Sequence, residues 1–249
     1  MHPSREQATS KSLSVAGAAA MLAAALWILF VIVAETRYPG YSVKANYLSD
    51  LGATCHRGLE APTPCIIVAA PSLIWNTTLS LFGILTLVSA VFFFRAARRI
   101  AFCICLAAFG AGALIAGVVP ETLLWVHEIG ALISFIGGGV AALLGFRFLK
   151  APLNVFFLVL GVVALVATFV VTFQGPFIQW NDAFGLGPGG IERMVVYPLM
   201  IWEIAFGAAT SATASSQIAR AGQTNPSVVS EPVPARMPGS GRGSSSATV

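Results

Sequence analysis

Six apolar stretches, each about 20 residues long, dominate this chain, and that is the length a helix needs to cross a bilayer. They run Leu13–Ala34, Pro71–Phe94, Ile100–Val119, Val126–Phe148, Leu153–Phe173 and Val195–Thr213, with Pro120 closing the third and Gly175-Pro176 the fifth. Lipid supplies no hydrogen-bond partners. Every backbone N–H and C=O in such a stretch must therefore be satisfied within its own segment, which selects the α-helix. A membrane barrel would need strands of about ten residues with alternating polarity, and that pattern is missing. The expected fold is all-α, a polytopic integral membrane bundle of six transmembrane helices. Composition agrees, at 57% hydrophobic and 10% charged residues, far from the balance of a water-soluble domain.

The first stretch is read as a retained anchor. Arg5 and Lys11 make a basic start, but the apolar run is long for a signal peptide and Ile32-Val33-Ala34 is a poor cleavage site. Lys and Arg then set the orientation. Arg5 and Lys11, then Arg95, Arg98 and Arg99, then Arg147 and Lys150, then Arg220, Arg236 and Arg242 all fall on one side of the membrane. Arg37, Lys44, Arg57 and Arg193 fall on the other, diluted over longer links and accompanied by Glu35, Asp50, Glu60, Glu121, Glu128, Asp182 and Glu192. Both termini are expected in the cytoplasm of a bacterial cell, with the bundle in the plasma (inner) membrane. The net charge of +4 is then an insertion signal, and no nucleic-acid partner is expected. Residues 1–12 form an inner tail, 13–213 the membrane domain with an outer loop over 35–70, and 214–249 a cytoplasmic tail. From about Gly222 that tail is rich in Pro, Gly and Ser, the composition of disorder.

The outer loop holds Cys55 and Cys65 on the oxidising side. Their spacing favours a disulfide, with two free thiols as the plainer alternative. Cys103 and Cys105 lie in the third span and read as small packing residues, because a metal site would require further ligands.

Polar residues gather in the links. Ser49-Asp50-Leu51-Gly52 follows the first span, and Asn76, Ser80 and Gly83 make one small, polar stripe on the second. Gly117 and Pro120-Glu121 close the third span and His127 opens the fourth. Gly189-Gly190-Ile191-Glu192-Arg193 precedes the sixth, which carries Tyr197-Pro198 and Trp202. This ordered combination resembles the domain of unknown function 998 family of six-helix prokaryotic membrane proteins, over about Leu13 to Ser211. Some members carry a cysteine pair similar to Cys55 and Cys65 in the same link. The resemblance implies architecture and no reaction, and Glu203 departs from the family pattern.

The topology puts Asp50, Asn76, Glu121, His127, Glu192 and Arg193 at the outer ends of helices. Two readings stand. The cluster is a pocket for a lipid headgroup or small ligand, with Arg193 holding an anionic group; or it is a set of ion pairs and caps, with Arg193 paired to Asp50 or Glu192. The preferred function is a non-enzymatic accessory or sensor protein binding at this cluster. The alternatives are a membrane-embedded hydrolase using Asp50 and His127, with Ser49, Ser72 or Ser134 as nucleophile, and a small proton-coupled transporter using Glu203. No catalytic residues, cofactor or metal are assigned. Of the three histidines, His2 is assigned to the cytoplasm, which leaves His56 and His127 short of a zinc set.

Glu203 lies eleven residues beyond Glu192, on the same helix face and about 16 Å deeper. A carboxyl near mid-membrane costs at least ~2.5 kcal/mol if ionised, and such groups are functional by default. A neutral side chain hydrogen-bonded to Ser134, Ser80 or Thr86 is the structural alternative. Gly137-Gly138-Gly139, Gly110 and Gly112 permit close helix approach. They suit a homo-oligomer or a membrane-protein partner as readily as an intramolecular bundle. Phe92-Phe93-Phe94, Trp125 and Trp180 read as interface anchors. Membrane lipids are the expected partners.

Overall fold

In the computed structural model the described residues are 5–55, 65–119, 121–173 and 185–223. His2, His56, Pro120, Gly175-Pro176, Trp180 and the tail beyond Gln223 lie outside them. Six helices run α1 Arg5–Arg37, α2 Ala69–Ala97, α3 Ile100–Val118, α4 Leu124–Gly145, α5 Leu153–Phe173 and α6 Gly187–Gln223. All six are long and apolar enough to cross a membrane, so the chain is a multi-pass membrane protein.

Each helix packs on its neighbours in sequence, and α1 closes the ring against α6. The Ser10 hydroxyl donates to the Ala214 carbonyl at 3.0 Å, which fixes the start of α1 beside the end of α6. Both helix ends therefore lie at one end of the bundle, the end that the charge pattern assigns to the cytoplasm. Small residues bring the helices close. Gly83 on α2 faces Gly110 on α3, and a Cβ added at Gly83 would meet the Gly110 carbonyl oxygen at 2.6 Å. On α1 the buried line Leu13, Ala16, Ala20, Ala24, Trp27 and Val31 keeps helical spacing. Leu22, Leu29, Phe30 and Ile32 on other faces remain exposed, as expected of side chains whose solvent is lipid.

Aromatic rings fill the lower interior. Trp202 lies against Phe102, Phe109, Phe157 and Phe206, with ring centroids between 5.7 and 6.4 Å apart. The turn between α2 and α3 is short because Arg98 adopts a left-handed conformation (φ 49°) and its N–H bonds the Phe94 carbonyl.

Three boundaries lie well outside the sequence expectation. Helix α6 starts at Gly187, eight residues before Val195, and continues past Thr213 to Gln223. Glycine weakens isolated helices, so a Gly-rich run reads as a link. Here Pro188 sits in the first turn, where its missing N–H is harmless, and Gly189 donates its N–H to the Lys44 carbonyl at 3.0 Å. A side chain at Gly189 would strike the carbonyls of Val43 and Asn46. The outer link holds this turn helical. At the other end of the chain, α1 begins at Arg5, with Glu6 in its first turn, where an acid suits the helix dipole.

Candidate ligand site at the outer end

The link after α1 is a folded cap. Asp50 lies in the middle of a short 3-10 turn, Ser49–Leu51, and its Oδ2 accepts hydrogen bonds from Asn46 Nδ2 at 3.0 Å and the Tyr47 N–H at 2.9 Å. The Tyr38 hydroxyl meets Thr54 Oγ1 at 2.6 Å, and Thr54 and Ile66 form a two-bond antiparallel bridge. Beside that bridge Cys55 and Cys65 are joined in a disulfide.

Arg193 ties this cap to the bundle. Its Nη1 donates to the carbonyls of Gly189 at 2.9 Å, Val43 at 3.0 Å and Asn46 at 3.2 Å. Its Nη2 donates to Glu35 Oε1 at 2.6 Å and to the Tyr41 hydroxyl at 2.7 Å. The pair is largely sealed from solvent, with 5% of the Arg193 side chain and 18% of the Glu35 side chain exposed. The Tyr41 hydroxyl in turn donates a hydrogen bond to the Tyr47 carbonyl at 3.0 Å. Burial pushes the Tyr41 phenol above its ordinary value, against the opposing pull of the Arg193 charge.

This arrangement differs from both pairings expected for Arg193, since its carboxylate partner is Glu35 at the end of α1. The sequence offered no spacing that joins residues 158 positions apart. Of Tyr41, Asn46 and Ser49, sequence reasoning singles out Ser49 alone, as a candidate nucleophile. Their signal is a run of hydroxyls and amides between the first span and Asp50, which sequence reasoning treats as ordinary link composition. With both terminal nitrogens committed to protein acceptors, the Arg193 guanidinium acts as a structural tie. It is a poor holder of an anionic ligand group.

The remaining expected residues separate. Asn76 sits on α2 and meets the cap: its Nδ2 donates to Ser72 Oγ on the same helix at 3.2 Å, and a Cβ at Gly52 would lie 2.9 Å from its Oδ1. Glu121 is buried in the short turn before α4. Glu192 accepts a hydrogen bond from the Leu48 N–H and is a second tie between cap and α6. The His127 ring nitrogen Nδ1 lies 2.9 Å from the Val119 carbonyl, which orients the imidazole across the α3–α4 turn.

Two of these, His127 and Glu192, share a cleft. Among the described residues an outer groove of about 460 Å³ runs between α4, α5 and α6 beneath the cap. Tyr47, Ser49, His127, Glu128, Thr172 and Glu192 provide its polar lining, and Trp125, Ile129, Leu132 and Phe135 much of its apolar lining. Below it lies a smaller cavity of about 40 Å³, reaching Trp27, Phe82 and Met200. Ser49, His127, Ala131, Phe135 and Glu192 line both, so the two spaces adjoin. The charged lining of the groove is acidic, from Glu128 and Glu192. Its apolar side opens toward lipid, where Trp125 is 77% and Ile129 56% exposed.

The fold and this site define a class: a six-helix membrane protein whose first outer link caps a closed helical ring over an amphipathic groove. More particularly, the family model described as "Protein of unknown function (DUF998)" matches residues 21–209, more than half of the chain, and the chain belongs to that family. No curated protein and no solved structure matches it.

Proposed function

We propose that the protein binds an amphiphile from the outer leaflet, as a non-enzymatic accessory or sensor protein of the plasma membrane. The head would carry an amine or hydroxyl group, and the tail would lie along Trp125, Ile129, Leu132 and Phe135. The observation that carries this reading is the joint lining of groove and cavity by Ser49, His127 and Glu192 above an apolar, lipid-open wall. Acidic and neutral polar lining favours a hydrogen-bond donor or cation over the anionic group first expected. A hydrolytic dyad gains no support, because Asp50 serves Asn46 and Tyr47 while His127 serves Val119.

Purification in native lipid discs, followed by mass spectrometry of retained lipids, tests the reading. Enrichment of an aminophospholipid is expected in the wild type, with loss in Glu192→Gln, which keeps an acceptor for Leu48 while removing the charge. Retention of the same lipids by both proteins, or enrichment of an anionic lipid, overturns it.

A further inference from the structure

Glu203 is absent from the groove, and its surroundings point to a separate activity. Its side chain is wholly buried at 0% exposure. The Thr86 hydroxyl donates to its Oε1 at 2.8 Å. Its Oε2 has no hydrogen-bond partner among the described residues, and neither does the buried Ser89 hydroxyl one turn from Thr86 on α2. Buried polar atoms are seldom left so, and here one is a carboxyl oxygen and the other a hydroxyl three residues along α2 from the Thr86 that bonds the same carboxyl.

Position along the bundle gives the cluster its meaning. On α6, Val196, Leu199 and Met200 line the small cavity that adjoins the outer groove. On the same helix, Phe206, Thr210, Thr213 and Gln217 line a second cavity of about 360 Å³ that reaches Arg99 and Arg147 at the opposite end. Glu203 stands midway, three residues from Met200 and three from Phe206, or roughly 4–5 Å of helix rise from each. Helix α2 repeats the order: Trp75, Leu79 and Phe82 line the outer cavity, and Phe93, Ala96 and Ala97 the inner one. Thr86 and Ser89 fall between them at helical spacing, on the same stripe.

Other ionisable groups are remote along every helix. Charged residues are missing from α1 between Lys11 and Glu35, from α2 before Arg95, from all of α3 and α5, and from α4 after Glu128. On α6 Glu203 is the single charge-bearing residue between Arg193 and Arg220. The remaining titratable groups inside the spans are His127 at the outer end of α4, where it lines the small cavity, the Cys103 and Cys105 thiols on α3 and the Tyr197 phenol on α6. A lone carboxyl in such a setting is stable as the neutral acid.

We propose that Glu203 is a proton-carrying site on a path through the bundle axis, and that the protein moves protons across the membrane. A hydronium in the outer cavity transfers its proton to the Glu203 carboxylate, leaving water and the neutral acid. When the carboxyl turns to the inner cavity, the acid returns that proton to water and the carboxylate is restored. The hydroxyls of Thr86 and Ser89 hold the transient carboxylate by donating to it. The Trp202–Phe206 stack beside Glu203, with Phe102 and Phe109, keeps water from bridging the cavities in the conformer seen here. This activity is independent of which ligand occupies the outer groove.

The full chain is reconstituted in vesicles that contain a pH-sensitive dye, and an inside-negative potassium diffusion potential is applied. Proton entry above that of protein-free vesicles is expected, with its loss in Glu203→Gln and a slower rate in Thr86→Val. A wild type no faster than protein-free vesicles, or Glu203→Gln matching the wild type, overturns the proposal. Should Glu203→Gln fail to fold, a hydrophobic carbodiimide is applied to the wild type, since such reagents modify protonated carboxyls in apolar surroundings. Labelling of Glu203 accompanied by loss of flux supports the proposal. Undiminished flux after complete labelling, or loss of flux without label at Glu203, refutes it.

Discussion

Replacing Arg193 with Gln removes a guanidinium that makes five hydrogen bonds, to Glu35, Tyr41 and the carbonyls of Val43, Asn46 and Gly189. Breaking a buried ion pair from one side leaves the other charge uncompensated, and typical losses are about 3–5 kcal/mol. Glu35 retains 18% side-chain exposure, so water recovers part of its solvation and the lower figure applies. For a chain of this size, about 3 kcal/mol corresponds to a fall of roughly 6–12 °C in melting midpoint. Thermal unfolding in one detergent reads this directly, and a double-mutant cycle assigns it. Glu35→Gln and Arg193→Gln together should cost clearly less than the sum of the single changes, because each single change already breaks the pair. Asp50→Asn and Arg193→Gln should add more nearly, since Asp50 bonds Asn46 and Tyr47. An Arg193→Gln protein within about 0.5 kcal/mol of the wild type, or an additive Glu35 cycle, would refute this account of the cap.

Three further outcomes follow from the same geometry. The Tyr41 phenol titrates higher when folded than when unfolded, so its stabilising contribution is complete below about pH 10 and declines as pH rises beyond it. Melting midpoints between neutral and strongly alkaline pH should therefore fall more steeply in the wild type than in Tyr41→Phe. Gly83→Ala places a Cβ 2.6 Å from the Gly110 carbonyl; overpacking of this kind should cost about 1–3 kcal/mol in detergent unfolding. Cys55→Ser with Cys65→Ser opens a link closed across ten positions, with an expected loss of about 2–4 kcal/mol, read as faster proteolysis of the outer link while the helices stay protected.

The sequence by itself determined how many helices are long and apolar enough to cross the membrane, because lipid imposes one rule on every apolar run of sufficient length. The disulfide was legible from local sequence, as two cysteines ten positions apart in one link lie within reach of each other. Glu203 was legible as an oddity: a carboxyl deep in an apolar run needs a reason wherever its helix packs, and Thr86 was among the partners foreseen. Its place between two cavities was not visible, because a cavity belongs to several helices at once. Tertiary structure also decided the fate of the outer cluster. Link residues far from Arg193 in sequence fold back onto α6, convert its Gly-rich approach into a helical turn, and claim Arg193 for Glu35. His127 and Glu192 were left to line the groove, while Asp50 was taken up by Asn46 and Tyr47 in its own link and Asn76 by Ser72 on its own helix. Spacing along one helix reports its faces; which faces meet depends on the packing of the whole ring, and no single segment encodes that.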